Sequence, residues 1–490
     1  MSLSMAQQIA RSGLAATSLA SSVVSRNVAA ADDPNASAKL VRIATDLSGV
    51  RVVSIANAVD TTLFEQTLSS GSAASELSVK LAGLDELQRA TGVDPTSASS
   101  PAALLGQMKS ALLLAAAAPH DVALARSAIS VAERLATSIS DGAAALASFR
   151  ERTGNEIEVG VNRLNGLLGE LQQANRRISA ADVRGEDVTD LVDQRKVLIK
   201  DVSELVDVRV AQRAGNQVVL YLASGATLLE TSPREIALNG SVSPAPGQMG
   251  AAIRVDGWPV DRPEAIGGKL GALLDLQNDV ALTFGRQLDE IARGLVMATA
   301  ESEQSVVPSA PPLAGVFTYA GGPTLPVGGM VVDGMAASLR INPSIDPALG
   351  GEIMRLRDGG VSAPGNPAYF YNATGAAGYS ERLQELVDGL TYAQAFDPSS
   401  ELGAQPASVT DFVARSSGWL EEARSLTSSR QQSAQVLAER TLSAWQNKVG
   451  INMDDQLAEL ISLEQSYQAN SRLIASINSM FDALLRAVDR

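Results

Sequence analysis

GINMDDQLAELISLEQSYQANSRLIASINSMFDALLRAVDR, residues 450–490, holds no glycine or proline after Gly450. Its apolar residues recur at alternating three- and four-residue steps, which pick out Leu460, Leu463, Tyr467, Asn470, Ile474, Ile477, Phe481, Leu484 and Val488. Such a row is a coiled-coil seam and predicts an unbroken helix at a terminus where most chains fray. At 1.5 Å per residue that helix would be about 58 Å long, close to twice the width of a small domain.

The opposite end mirrors it. Met5, Ile9, Ser12, Ala16, Leu19 and Val23 keep the same alternation with smaller side chains. Small residues facing large ones suit close interdigitation. Burying each large seam residue would contribute about 1.5–3 kcal/mol. Left in water, the same stripe invites aggregation. The N-terminal helix alone has little with which to offset its ordering entropy. Both ends are therefore expected to be weakly ordered in an isolated monomer and to fold in a polymer. The same segment superficially resembles a secretory leader, with small residues at Ala29-Ala30-Ala31. No lysine or arginine precedes Arg11, serine and threonine interrupt the apolar run, and a leader has no reason to keep heptad register. It reads as a helix of the mature chain.

Composition narrows the classes. A chain of 490 residues suggests several domains, and 45% hydrophobic with 19% charged residues allows real cores. Aromatics are only 4%, which favours alanine-rich helices packed along their length. The formal charge of −15, with no basic run, disfavours nucleic acid. Cysteine is absent, so disulfides, thiolate metal sites and cysteine nucleophiles are excluded together. No stretch reaches the ~18 apolar residues of a membrane span.

Candidate chemistry fails on inspection. Gly267-Gly268-Lys269 lacks the flanking glycine and hydroxyl of a phosphate loop, with Pro263 and Leu270 in those places, and reads as a turn before a helix. Asp454 and Asp455 suit the first turn of a helix. The single histidine, His120, follows Pro119 in a turn and belongs to no triad or metal spacing. No catalytic, cofactor or metal residue is assigned.

Between the ends, residues 101–149 and 155–180 carry helical spacing, and a further helix follows Arg184-Gly185-Glu186-Asp187. The period then changes to two in VDVRVAQRAGNQVVLYLASGATLLE, residues 206–230, which reads as a β meander. Helix returns from Gly271 to about Glu303 and again over 379–390 and 411–448. The fold class is mainly α with a β-rich insertion: an elongated, nested, multi-domain chain with paired N- and C-terminal coiled-coil helices. Residues 1–35 with 451–490 form the terminal module, and 36–206 with 266–303 and 376–450 form a helical bundle. Residues 207–265 form an outer β-rich domain, and 304–375 a Gly/Pro-rich segment with short strands.

The C-terminal segment resembles the end shared by bacterial flagellar axial proteins. The family pattern falls on Gly450, Asn452 and Asp454, then Leu460, Gln465, Tyr467, Ala469 and Asn470, then Met480, Phe481, Asp482, Leu484 and Leu485. SGLAATSLASSVVSRNVAAADDP, residues 12–34, is similar to its N-terminal partner, with Gly13, Leu14, Ser25 and Asn27 in place. Arg26 stands where the family usually has asparagine, and Asn35-Ala36 lies near the place of its Gly-Tyr. IGGKLGALLDLQNDV, LDEIARGLVMA, SLRINPSID and YNATGAAGYSERLQELVDGL resemble the hook-associated protein 1 family. That resemblance implies an extracellular subunit at the hook–filament junction, exported through the flagellar type III apparatus without a cleaved signal. It implies self-association in a ring, contacts with hook protein and the second junction protein, and a cytoplasmic export chaperone. Neither nucleic acid nor membrane is an implied partner. The assembly residues are expected to be Ile9, Ala16, Leu19 and Val23 with Leu460, Leu463, Tyr467, Asn470, Ile474, Ile477, Phe481 and Leu484. The alternatives are another axial protein such as hook protein, a secreted enzyme with its activity in the β-rich insertion, and a cytosolic coiled-coil signalling protein.

Overall fold

A computed structural model of the chain describes residues 3–46, 49–93, 97–260, 262–305 and 308–488. Helix α1, Leu3–Ala29, leads into an antiparallel hairpin of β1, Lys39–Asp46, and β2, Gly49–Asn57. Helix α2, Thr61–Thr91, starts where Asp60 accepts a hydrogen bond from the Leu63 amide and stops at left-handed Gly92. Helices α3, Pro101–Ala117, α4, Val122–Val183, and α5, Thr189–Leu205, follow. Two three-stranded antiparallel sheets come next. The first joins β3, Val208–Arg213, β4, Gln217–Leu222, and β5, Thr227–Leu229. The second joins β6, Ile236–Asn239, β7, Ala252–Val255, and β8, Trp258–Pro259.

Gly267 and Gly268 then turn into α6, Gly268–Asp275, which continues through a π-turn at Leu276–Val280 into α7, Ala281–Ala298. The π-turn anchors the β region. Gln277 Nε2 donates to Arg150 O and Val242 O, and its Oε1 accepts from the Ala251 amide. Asn278 pairs with Gly250 N and Ala251 O. After the short pair β9, Phe317–Thr318, and β10, Arg340–Ile341, come α8, Arg355–Asp358, and α9, Glu381–Gly389. Two long helices close the chain: α10, Val409–Val449, and α11, Met453–Val488. The molecule is mainly helical, elongated and nested, with chain start and chain end paired at one end.

Two hydrophobic cores share α4 as a spine, a helix about 93 Å long. Its first half, from Ala125 to Phe149, packs with α3, α7, α9 and the start of α10. Its second half, from Ile157 to Leu171, packs with α5, α6 and both sheets through Val208, Leu220, Leu222, Ile253 and Val255. The β strands of 207–265, the span expected to form an outer domain, share this core with the helices. Residues 304–375 likewise insert Val316, Phe317, Met335, Leu339 and Val361 into the first core.

Two further differences have physical causes. The helices expected over 101–149 and 155–180 are instead divided at 118–121, and α4 runs unbroken past Gly154. A Cβ at Gly154 would stand 2.0 Å from Val242 O, so this glycine permits a close approach and does not break the helix. The hairpin β1–β2 falls in a span assigned to the helical bundle. Helices α2 and α10 pair antiparallel, linked by Ser70 Oγ to Thr441 Oγ1 at 2.6 Å and Arg424 to Asp85 at 3.3 Å. Together they carry the chain from the terminal pair to the first core and back.

Candidate assembly interface

Three contacts fix how the terminal helices meet. Gln7 Nε2 donates to Asn478 Oδ1 at 3.4 Å, Gly13 lies against the Asn470 amide, and Asn27 Nδ2 donates to Gln456 Oε1 at 2.8 Å. Residue numbers rise on α1 as they fall on α11, so the pair is antiparallel. The same register sets Ile9 level with Ile474, Ala16 with Tyr467 and Val23 with Leu460. It also sets the first described turn of α1 near Met480, so Phe481 and Leu484 lie at or beyond the end of their partner helix.

The expected residues divide by exposure. Val23 and Ala16 are buried, Ile9 is half-buried and Leu19 is exposed. On α11 Ile477 is buried at 3%, and Leu460, Leu463, Asn470, Ile474 and Phe481 are half-buried. Tyr467 and Leu484 are exposed, at 46% and 49%. The side chain of Val488, like residues 1–2 and 489–490, lies outside the described residues. On α1 the contact row passes through Gly13 and Asn27, one residue on from the row through Met5, Ser12 and Leu19. Ser12 instead faces the hairpin, where its hydroxyl accepts from the Val50 amide at 3.1 Å.

Gly13, Asn27 and Gln456 were not among the residues expected to carry the interface. A glycine inside a 27-residue helix is a signal in itself, because it weakens the helix by about 1 kcal/mol and so calls for a packing reason. A Cβ there would sit 3.3 Å from Asn470 Nδ2. Asn27 is buried and holds three elements. Besides Gln456 it donates to Lys39 O and accepts from Lys39 N, both at 3.0 Å.

Pairing leaves further apolar side chains of α11 in water, on both flanks of the contact row. Leu457, Ile461, Leu473, Met480 and Leu485 are exposed, Ile461 at 57% and Leu485 at 61%. Exposed apolar side chains spread along a helix in this way mark an interaction surface.

A polar joint ties the pair to the body. Arg26 Nη1 meets Asp187 Oδ2 at 2.6 Å and its Nη2 meets Asp190 Oδ2 at 2.9 Å. The Lys39 amine also meets Asp190. Asp193 accepts from Ser37 and from Asn57 Nδ2, the latter at 2.7 Å, and pairs with Lys196 at 3.0 Å. The hydrogen bond from Lys39, with Arg26 adding to it, holds the Asp190 carboxyl below its ordinary range. Burial works against ionisation of Asp187, but hydrogen bonds from Arg26 and Thr189 outweigh it and its pKa is also lowered.

Residues 93–305 match the family described as the flagellar hook-associated protein FlgK helical domain. Residues 446–487 match the flagellar basal body rod FlgEFG protein C-terminal family. A solved structure of the flagellar hook junction protein FlgK from Burkholderia pseudomallei is similar in fold, with a TM-score of 0.58 at 14% identity. That match covers 78% of this chain and 99% of the other. No curated protein matches.

Proposed function

The chain belongs to the FlgK family of flagellar hook-associated proteins, and on that premise we propose that it joins hook to filament as a ring of self-associating subunits. The observation that carries the reading is the set of large apolar side chains flanking the α11 seam, which the chain's own helices leave uncovered. In a tube, neighbouring copies would cover it, with the terminal pairs forming an inner layer and the helical body the next. The two ends of the subunit then meet different partners, hook protein on one side and the second junction protein on the other. The C-terminal match is to a family of rod proteins, so residues 93–305 carry the choice of junction over rod or hook. Before assembly these exposed side chains need masking, a role a cytoplasmic export chaperone would fill during passage to the type III apparatus. The chain works outside the cell. The role is mechanical and uses no catalytic residue or cofactor.

Deleting the gene tests this directly. Hooks without filaments, with flagellin shed into the medium, are the expected result; filaments of normal length and number in the deleted strain would sink the reading. Within the protein, Ile474→Asp or Phe481→Asp should prevent incorporation while the helical body keeps its circular dichroism. Normal filaments built with either variant would remove the seam from the interface.

A further inference from the structure

Where the terminal pair meets the body, packing alone does not fix an angle. A cavity of about 760 Å³ opens there, between β2, α5, β3, β4 and the end of α10, lined by Phe64, Arg195, Val218, Trp445 and Val449 among others. Empty space on one side of a joint lets the two parts rock unless something else holds them. What spans the joint is polar. The linkage runs from α1 through Arg26, from the hairpin through Lys39 and Asn57, and from the loop between them through Ser37. It ends on three aspartates at or before the first turns of α5.

We propose that Arg26, by gripping Asp187 and Asp190 together, is the positioning residue that sets the angle between the terminal helix pair and the body. An exposed ion pair alone contributes little, and geometry distinguishes this one. One guanidinium bridges two carboxylates with separate nitrogens, which fixes direction as well as distance. Asp190 is held from its other side by Lys39, whose backbone is locked to Asn27, the residue after Arg26. The loop closes on itself, so α1 cannot tilt without breaking a charged contact. The inference rests on the junction reading for its consequence, since the angle fixes how a subunit stands in the tube wall. The geometry of the joint does not depend on that reading.

The test uses the full chain, which has no cysteine of its own. Spin labels on Ser22→Cys in α1 and Val159→Cys in α4 report the angle as a distance. Ser22 lies in the last two turns of α1, close to the joint. The expected result is one narrow distance in the parent, its loss in Arg26→Asp and in the size-preserving Arg26→Gln, and its return when Asp187→Arg and Asp190→Arg are added to Arg26→Asp. A narrow distance that survives Arg26→Asp would overturn the proposal, as would a broad one in the parent. Failure of the reversed pair to restore it would show that the effect of Arg26 does not run through these carboxylates. The measurement needs no flagellum, so it decides the inference even if the deleted strain keeps its filaments and the junction reading falls.

Discussion

The body and the terminal pair treat their chemistry in opposite ways. In the body even charge is enclosed. Arg293 and Glu290 are 1% and 0% exposed, joined by two parallel hydrogen bonds of 2.7 and 2.8 Å, and Glu290 also accepts from the Asp397 amide. On α11 even large apolar side chains stand in water. A part that is satisfied within one chain folds by itself, while a part left unsatisfied depends on other copies. Stability and assembly should therefore respond to different residues.

The largest expected effect lies in the body. Arg293→Leu strands the Glu290 carboxylate without its partner and should lower stability by about 3–5 kcal/mol, read from the urea midpoint. Ile461→Ser, at an exposed apolar position of α11, should move that midpoint by less than about 0.5 kcal/mol yet abolish incorporation into the flagellum. If Ile461→Ser lowered the midpoint as much as Arg293→Leu, the terminal pair would belong to the folding unit and the contrast would fail.

A smaller effect comes from pH. Asp289 is buried, and that burial pushes its carboxyl up to about 7 despite hydrogen bonds from the Gly334 and Ala336 amides. Glu290 and Asp333 add like charge. The folded value lies above the unfolded one, so the folded body holds the proton more tightly. The stabilisation is full below the unfolded value of 3.8 and is lost as the pH rises through 7. The urea midpoint should fall between pH 5 and pH 8, and Asp289→Asn should flatten that fall. A midpoint equally steep in the variant would assign the dependence to other carboxylates. Among its described residues the terminal pair contains no comparably buried acid, so its assembly should not follow this curve.

Legibility in the sequence followed the size of the side chains. On α11 one row of large residues outweighs its neighbours, and the helix is unambiguous. On α1 more than half the positions are alanine, serine or valine, so the row through Ser12 and the row through Gly13 carry similar hydrophobicity. Periodicity could not choose between them, and the choice was made by the hairpin on one side and Asn470 on the other. The hairpin was hidden because its strands expose Leu40, Ile43 and Val53 and so lack the clean alternation of a half-buried sheet. Gly154 sits between the two helices expected at 101–149 and 155–180, and a backbone 88 residues away in sequence decides its role within α4. Arg26 was visible as a departure from the family pattern, but its partners follow α4 and became clear only with the fold.

The smallest effect tests the finest detail, the contact at Gly13. Gly13→Ala removes a weak point from α1, a gain of up to about 1 kcal/mol in helix propensity. Against this, the new methyl meets Asn470 Nδ2 at 3.3 Å, and the amide must yield by a few tenths of an ångström. The two terms nearly cancel, so Gly13→Ala should leave incorporation close to normal while raising helix content slightly. Gly13→Leu has the same propensity gain but no room, because its branched end would occupy the place of Asn470. It should block incorporation, and trimming the partner with Asn470→Ala should recover part of it. The pair of variants separates propensity from fit. If Gly13→Leu assembled as well as Gly13→Ala, the antiparallel contact would have no say in the tube, and the exposed apolar side chains of α11 would have to hold the subunits together alone.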